Sequence, residues 1–294
     1  MKRTITYVID RAFSGKSAEQ YLRGEKGFSS GLLRRLKLQP DGLLRNGGHI
    51  RTVDILETGD CLTIHIPDDD SPILPADLPV RIAYEDEDVI VLNKPPFMPV
   101  HPTRNHQGDT LANALAGVLA RRGQTAAFRA VNRLDRDTSG LVVAGLNTYA
   151  ACRLTGHVDK TYYAVVHGEL HGTGTICLPI YRPDPLLIRR AVGLTGEHAV
   201  THWHAVAGTK ELTLLRIRLE TGRTHQIRVH FSHLGHPLAG DTMYGEADGL
   251  LNRQALHCKT VSFTSPVSEK AVTVDSEFPQ DMQAVIEGLS AYES

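Results

Sequence analysis

From residue 80 onward the chain contains a succession of short segments whose composition is typical of β-strands. Each segment alternates apolar and polar residues or is rich in β-branched ones, and both patterns suit a pleated sheet. The segments are RIAYED, VIVLN, GLVVAGL, TYYAVVHGEL, AVTHWHAV, ELTLLRIRLE and ALHCKTVSF. Because few helical segments lie between them, we predict an α+β fold: a mixed, mostly antiparallel sheet with flanking helices.

Three segments of this body have helical character. The segment LANALAGVLARR follows Asp109 and Thr110, either of which could cap it, and NTYAACRLTGHV forms a second short helix. In THQIRVHFSHLG, an apolar stripe of Ile227, Phe231 and Leu234 lies opposite a polar face that contains Arg228.

Residues 1–66 have a different pattern. Two short helical segments each begin at a serine suited to N-capping, and a turn at Asn46-Gly47 precedes the strand CLTIHI. We therefore predict a small N-terminal α/β module.

A connector separates the two parts. Residues 67–79 contain four prolines and three consecutive aspartates, a composition typical of stiff, exposed linkers. We predict a module at 1–66, a linker at 67–79 and a larger domain at 80–294.

The net charge of −1 conceals two basic blocks. Residues 1–66 have 11 Lys and Arg against 7 Asp and Glu, and residues 89–240 have 17 against 9. The acidic excess lies in residues 67–88, with 1 against 8, and in residues 241–294, with 3 against 9. Such blocks permit a positive face, and a polyanion responds to the local field rather than to the total charge.

Several classes of protein are disfavoured by what the sequence lacks. The 4 cysteines form no CxxC pair, so a zinc ribbon, a dithiol site or a disulfide framework is not expected. No GxGxxG or GxxxxGK motif supports a nucleotide cofactor. No apolar run suits a membrane span or a signal peptide, so we expect no membrane association and a cytoplasmic location.

The segment NRLDRDTSGL is the first that suggests chemistry. Asp135 lies between Arg133 and Arg136, and a nearby cation favours the ionised, nucleophilic form of a carboxylate. Gly140, at the entrance to an apolar strand, permits a close backbone approach. An ordinary charged turn would have the same composition.

Two further segments contain candidate binding residues. Arg223, at the start of the helix in LETGRTHQIRVHF, could clamp a carboxylate or phosphate, although a solvated basic face is an equal alternative. The proline-rich loop NKPPFMPVHPTRN contains Lys94 and His101, and by itself it indicates only a rigid connection. Histidines are frequent around His225 and His230, but their spacing does not place them on one helical face, which disfavours a metal site.

In this order, the segments resemble those of the RluA-type pseudouridine synthases, which isomerise uridines in ribosomal or transfer RNA. The resemblance covers roughly residues 80–270 and includes KPPFMPVHP, NRLDRDTSGL, KTYYAVVHG, GRTHQIRVHFSHLGHPLAGDTMYG and LHCKTVSFTSP. Residues 1–66 look like the small RNA-binding module found at the N-terminus of many members.

The resemblance implies roles for particular residues. Asp135 would be the catalytic aspartate, Arg133 would help to displace the target base, and Tyr162 would pack against the flipped uracil or act as a base. Arg223 would pair with Asp135. The family usually has His where this chain has Asn132. The expected catalytic residues are Asp135, Tyr162 and Arg223, and the expected substrate-binding residues are Asn132, Arg133, Lys94, His101, Thr224 and Arg228.

The resemblance also implies a monomeric enzyme that acts on RNA, ribosomal RNA above transfer RNA, without cofactor or metal. Whether Asp135 attacks the base or the sugar stays open. The alternatives are a non-catalytic RNA-binding assembly factor on the same fold and a metal-dependent hydrolase built on the histidines.

Overall fold

The computed structural model describes residues 3–67, 73–125 and 127–292, so residues 68–72 of the predicted linker lie outside the described residues. A 3-10 turn spans Arg11–Phe13, and a π-helical turn at Tyr21–Glu25 continues the first helix. The helices are α1 Ala18–Gln20, α2 Ser30–Lys37, α3 Leu111–Arg121, α4 Thr148–Leu154, α5 Gln226–His233 and α6 Gln280–Ile286. None of these helices has the length and apolarity needed to cross a membrane.

Short strands make up most of the remaining regular structure. They are β1 Arg3–Val8, β2 Leu43–Arg45, β3 Gly48–His49, β4 Cys61–Ile66, β5 Arg81–Glu85, β6 Val89–Lys94, β7 Arg129–Ala130, β8 Ser139–Gly145, β9 Asp159–His167, β10 Thr173–Cys177, β11 Ile180–Tyr181, β12 Ala191–Val192, β13 Val200–Gly208, β14 Leu212–Leu219, β15 Leu256–Thr264, β16 Ala271–Asp275 and β17 Ser290–Ala291.

Eleven strands form one large sheet, with the main order β10-β13-β14-β9-β15-β8-β6-β5. Strands β16, β17 and β7 pair with β15, β13 and β8 respectively. Every pairing in this sheet is antiparallel except that of β8 with β15, which is parallel. The predicted α+β fold with a mixed, mostly antiparallel sheet is confirmed.

The parallel pairing of β8 and β15 depends on Gly140. This residue has a φ of 116°, and a Cβ built there would clash with the carbonyl oxygen of Cys258. Only glycine tolerates both conditions. The loop that contains Asp135 therefore enters the middle of the sheet immediately before β8.

Helices α3 and α5 both contribute side chains to the core of the large sheet. In β8 every residue is buried, as its continuous apolar sequence predicts. Thr110 caps α3, and Ile227 and Phe231 of α5 pack into the core, while Leu234 ends the helix and is 46% exposed. The predicted apolar stripe is therefore shorter than expected.

Residues 3–66 form a second, four-stranded sheet in the order β1-β4-β2-β3. Ser17 and Ser29 accept backbone hydrogen bonds at the start of α1 and α2, as predicted. Asn46 and Gly47 both have positive φ, which produces the tight turn of the β2–β3 hairpin. The sheet and its helices enclose a core of their own, to which Tyr149 of α4 also belongs.

Candidate active site

An open cavity of about 840 Å³ lies beside the entrance of β8. Three parts of the chain surround it: the loop before β8, the end of α4 with the start of β9, and the segment from β14 into α5. The lining residues are 131–135, 138, 156, 158–160, 162, 219–228 and 256. Residues far apart in sequence therefore meet at one concave surface.

Asp135 lies in this cavity with its side chain 25% exposed. Its carbonyl oxygen accepts the backbone N–H of Thr138 at 3.1 Å, so the loop is a tight turn that holds the carboxylate at the mouth of β8. The carboxylate is close to two side chains of the α5 segment: Nη1 of Arg228 at 3.1 Å and Nε2 of His225 at 3.8 Å.

Arg228 is 5% exposed and contacts two carboxylates. Its Nε and Nη2 donate to the two oxygens of Asp241 at 2.6 and 2.8 Å, and its Nη1 donates to Asp135. Burial opposes the charge, but the hydrogen bonds with Asp241 and the attraction of Asp135 raise the pKa of Arg228 above its usual value. The buried guanidinium is therefore a permanent cation that holds Asp135 in one orientation.

His225 precedes α5 in a left-handed conformation, with φ of 57°. The hydroxyl of Tyr244 accepts the N–H of Arg190 at 2.7 Å, so its own hydrogen is available for Nδ1 of His225 at 2.8 Å. Nε2, on the opposite side of the ring, faces Asp135. Burial lowers the pKa of His225 and so favours the neutral imidazole, although the charge of Asp135 acts in the opposite direction.

Tyr162 extends from β9 into the cavity lining and is 6% exposed. Burial raises the pKa of its phenol well above the usual value, and the neighbouring Cys258 thiol contributes in the same direction. A protonated phenol is a poor base at neutral pH. The ring therefore suits the predicted packing role better than the predicted alternative of a base.

Three other predicted residues also lie in the lining. The side chain of Asn132 is buried, donates to the carbonyl of Leu141 and accepts the N–H of Val143, so it holds the loop against β8. Arg133 is exposed, and its Nη2 lies 3.4 Å from Oγ1 of Thr224. Arg133 therefore projects to the rim of the cavity.

The predicted ion pair between Arg223 and Asp135 is wrong. Arg223 lies in the turn before α5, where it pairs with Glu197 and donates to the carbonyl of His198. Arg228, in the first turn of the helix, pairs with Asp135 instead. The expectation that flanking arginines hold Asp135 is also wrong for Arg136, which pairs with Asp137.

Lys94 and His101 do not belong to the cavity lining, and their role in substrate binding stays a prediction. Lys94 is fully buried, and its Nζ donates to the carbonyls of Pro95, Met98 and Arg136 at 2.8–2.9 Å. Burial lowers its pKa to about 7. His101 packs against the ring of Phe128. Lys94 thus joins the proline-rich loop to the Asp135 loop.

Asp241, His225 and Tyr244 are the residues that the sequence reasoning did not assign. All three belong to the segment GRTHQIRVHFSHLGHPLAGDTMYG, whose close resemblance to the family was a signal for them.

Within the parts of the chain that the structure describes, no three His, Cys, Asp or Glu side chains are close enough together to hold a metal ion.

Comparison with known proteins agrees with this geometry. A family model described as RNA pseudouridylate synthase matches residues 88–233. "Uncharacterized RNA pseudouridine synthase YjbO" of Bacillus subtilis is 38% identical over 90% of this chain and 96% of its own length. "Ribosomal large subunit pseudouridine synthase D" of Zymomonas mobilis is 39% identical, covering 78% of this chain and 79% of its own.

A solved structure resembles this one as well. "Human RNA Pseudouridylate Synthase Domain Containing 1" superposes with a TM-score of 0.59 and 26% identity, covering 74% of this chain and 90% of that one. The extent of these similarities, with the Asp135 cavity at the centre of the matched region, shows that the chain belongs to the RNA pseudouridine synthase family, whose members are isomerases, and is of the RluA type that its motifs resemble.

Proposed function

We propose that this protein converts specific uridines of ribosomal RNA to pseudouridine, with Asp135 as the catalytic residue. The observation that carries the proposal is the carboxylate of Asp135, partly exposed in the cavity and held by the buried guanidinium of Arg228. The names of several relatives specify the large ribosomal subunit, which favours ribosomal over transfer RNA.

The reaction breaks the bond between N1 of uracil and C1′ of ribose, turns the detached base, and joins C5 to C1′. The proton on C5 is lost and N1 gains one, so nothing is oxidised and no group leaves. The chemistry therefore needs no redox cofactor. Asp135 assists bond cleavage, either by covalent attack or by promoting elimination, and both routes need a carboxylate beside the detached base.

Tyr162 is proposed to form the surface on which the flipped uracil rests. Its ring lies in the cavity lining and its phenol stays protonated at neutral pH. A uridine must leave its stack to reach this ring, at a cost of a few kcal/mol. Arg133 is suited to help displace the uridine from its stack, since it is exposed at the rim of the cavity.

Binding of the surrounding RNA is proposed to depend on exposed cations around the cavity. Arg223 and Arg133 lie at its rim, with Thr224 between them as a hydroxyl partner. The β11–β12 hairpin adds a tip at 182–190 that contains three arginines. Side chains of this kind hold phosphates and thereby position the base without reading the sequence.

We also propose that residues 1–66 are an RNA-binding module, 67–79 a linker and 80–294 the catalytic domain. Arg34 is exposed on α2 and available to phosphates, and Lys37, also exposed, lies 3.5 Å from Glu19. We propose that the enzyme acts in the cytoplasm, as a monomer. Sedimentation of the full chain with and without RNA would test the oligomeric state.

The test of the function is replacement of Asp135 by Asn, which keeps the shape of the side chain and removes its charge. Release of tritium from C5 of labelled uridine should fall to background. RNA affinity should change by less than about tenfold, or ~1.4 kcal/mol. Asp137→Asn, two residues along the same loop, is the matched control and should retain turnover.

Substantial turnover by a folded Asp135→Asn protein would overturn the assignment. RNA binding without tritium release by the wild type would favour the alternative of a non-catalytic assembly factor. Pseudouridine mapping of total RNA from a strain that lacks the gene would identify the RNA and the modified positions.

A further inference from the structure

Tyr149 belongs by sequence to the larger part of the chain but by packing to residues 3–66. It lies in α4, is 1% exposed, and its ring centroid is 4.3 Å from that of Phe28. Its hydroxyl donates to the carbonyl of Lys26 at 2.8 Å and lies 3.4 Å from the hydroxyl of Tyr7. The N-terminal core is therefore completed by a side chain of the large domain.

A second contact also joins residues 3–66 to the larger part of the chain. Asp88, in the turn between β5 and β6, is 3% exposed and accepts hydrogen bonds from Nε and Nη2 of Arg3 at 2.8 and 2.9 Å. Asn147, which caps α4, also donates to Asp88. A bidentate pair in this setting has a defined geometry, so it fixes orientation as well as distance.

Both contacts converge on α4, whose other end reaches the cavity. The helix is followed by Gly156 and Val158, and both residues line the cavity. Because α4 has seven residues, it spans about 10 Å. The contact between the two parts of the chain is therefore roughly two helical turns from the site.

An exposed cation lies at this joint. The guanidinium of Arg153, in the last turn of α4, lies against Gly27, where a Cβ would clash with it. In the portion of the chain that the structure describes, no carboxylate pairs with Arg153. Its charge is thus available to a phosphate between α2 and the cavity.

From these contacts we propose that residues 3–66 and the catalytic sheet form one rigid RNA-binding body, joined through Tyr149, Asp88 and Arg3, whose fixed geometry selects the uridine that enters the cavity. The proposal rests on the proposed function and deepens it. A module held in this way sets the distance between bound phosphates and the cavity. A flexibly tethered module would only raise the local concentration of RNA.

The test compares two variants that remove equal charge. The triple variant Arg3→Met/Asp88→Asn/Tyr149→Phe removes the polar joining contacts, while the aromatic ring at position 149 still packs against Phe28. The control, Arg51→Met/Asp54→Asn, removes an exposed ion pair within the module. Hydrogen exchange of the peptides that contain 3–8 and 147–154 should be at least tenfold faster in the triple variant and unchanged in the control.

Activity is then measured on two kinds of RNA. Total RNA from a strain lacking the gene is first treated with the wild-type protein, and the uridines that it modifies are mapped. A short stem-loop is then made around the most strongly modified uridine. We expect the triple variant to modify the stem-loop within about twofold of the wild-type rate. In full-length RNA it should modify the native sites at least tenfold more slowly or modify neighbouring uridines.

Three results would overturn the proposal. Unchanged hydrogen exchange in the triple variant would show that these contacts do not hold the module. Faster exchange with an unchanged map and rate would show that docking does not select the site. Equal losses on both RNAs would show that these contacts support turnover in general and do not select the site. Failure of the proposed function is distinguishable, because the wild-type protein would then form no pseudouridine at all.

Discussion

Arg228 donates from Nη1 to Oδ2 of Asp135 at 3.1 Å while its Nε and Nη2 bind Asp241. One buried cation thus serves two carboxylates, of which Asp241 is 1% exposed and Asp135 faces the cavity. Asp241 fixes the guanidinium, and the guanidinium fixes Asp135. Arg223, the residue that the sequence favoured for this contact, is bound elsewhere.

Replacement of these two arginines should separate their roles. Arg228→Met leaves two carboxylates together without their cation, so the free energy of unfolding should fall by about 3–5 kcal/mol. Arg223→Met loses only an ion pair with the exposed Glu197. It should change the free energy of unfolding by less than about 1 kcal/mol. Urea denaturation measures both values.

Should Arg228→Met fail to fold, Arg228→Lys provides the second measurement. Lysine retains the charge but cannot contact both carboxylates in the same fork geometry. We expect turnover to fall by roughly tenfold or more, which corresponds to ~1.4 kcal/mol in the barrier. Equal effects of the Arg223 and Arg228 replacements would contradict the pairing seen here.

Lys94 should prove to stabilise the fold rather than bind substrate. Lys94→Met leaves three carbonyls, buried or partly buried, without their donor, which should lower the free energy of unfolding by about 3 kcal/mol. Lys210→Met, at an exposed position, should have little effect. RNA affinity of folded Lys94→Met should stay within about twofold, or ~0.4 kcal/mol. A loss of RNA affinity without a loss of stability would support the prediction that Lys94 binds substrate.

Gly140 should tolerate no side chain. Gly140→Ala places a Cβ against the carbonyl of Cys258 at a positive φ, and we expect a loss of ~3 kcal/mol or more. Gly31→Ala in α2 meets no neighbouring atom and should be neutral or stabilising, by up to about 1 kcal/mol. Thermal denaturation of both variants checks this, and similar melting temperatures would refute it.

His257 should make the protein sensitive to acid. It is buried between Ser139 and Ser276, and burial, with the nearby Arg253 and Lys259, lowers its pKa to about 3. The unfolded chain, with a histidine pKa near ~6.5, therefore binds more protons below that pH. The contribution of His257 to the free energy of unfolding is complete above pH ~6.5. It is lost as the pH falls toward 3, by up to ~1.4 kcal/mol per pH unit.

The measurement compares urea denaturation of the wild type and His257→Asn between pH 7 and 4.5. Burial also lowers the pKa values of His101, His225 and His230, but these contribute equally to both proteins. In the variant, the free energy of unfolding should fall less steeply with decreasing pH, by a slope that corresponds to about one proton. Parallel curves would mean that His257 is not buried in neutral form.

Much of the fold could be predicted because its signals are local. The alternation of apolar residues indicated the strands, serine and threonine indicated the helix starts, and Asn46-Gly47 indicated a hairpin. The Asp135 loop was found in the same way, from one carboxylate next to Gly140 and an apolar strand. Each of these signals lies within about ten residues of the structure that it specifies.

The partners of Asp135 depend on contacts that are distant in sequence. Asp135 and Arg228 are 93 residues apart in the sequence. Arg223 and Arg228, the two candidate partners, are close neighbours in the sequence. Arg228 lies within α5, whereas Arg223 lies in the turn before it and pairs with Glu197. No local pattern specifies which of them reaches the carboxylate.

The amino-acid sequence by itself determined the strand-rich fold, the Asp135 loop and membership of the pseudouridine synthase family, since all three depend on local composition and motif order. The tertiary structure alone decided that Arg228 holds Asp135, that Lys94 is a buried link between loops, and that Tyr149 completes the N-terminal core. The physical reason is that charges and aromatic rings are compatible with many partners. Only packing of the whole chain determines which partner is within reach and which remains exposed to water.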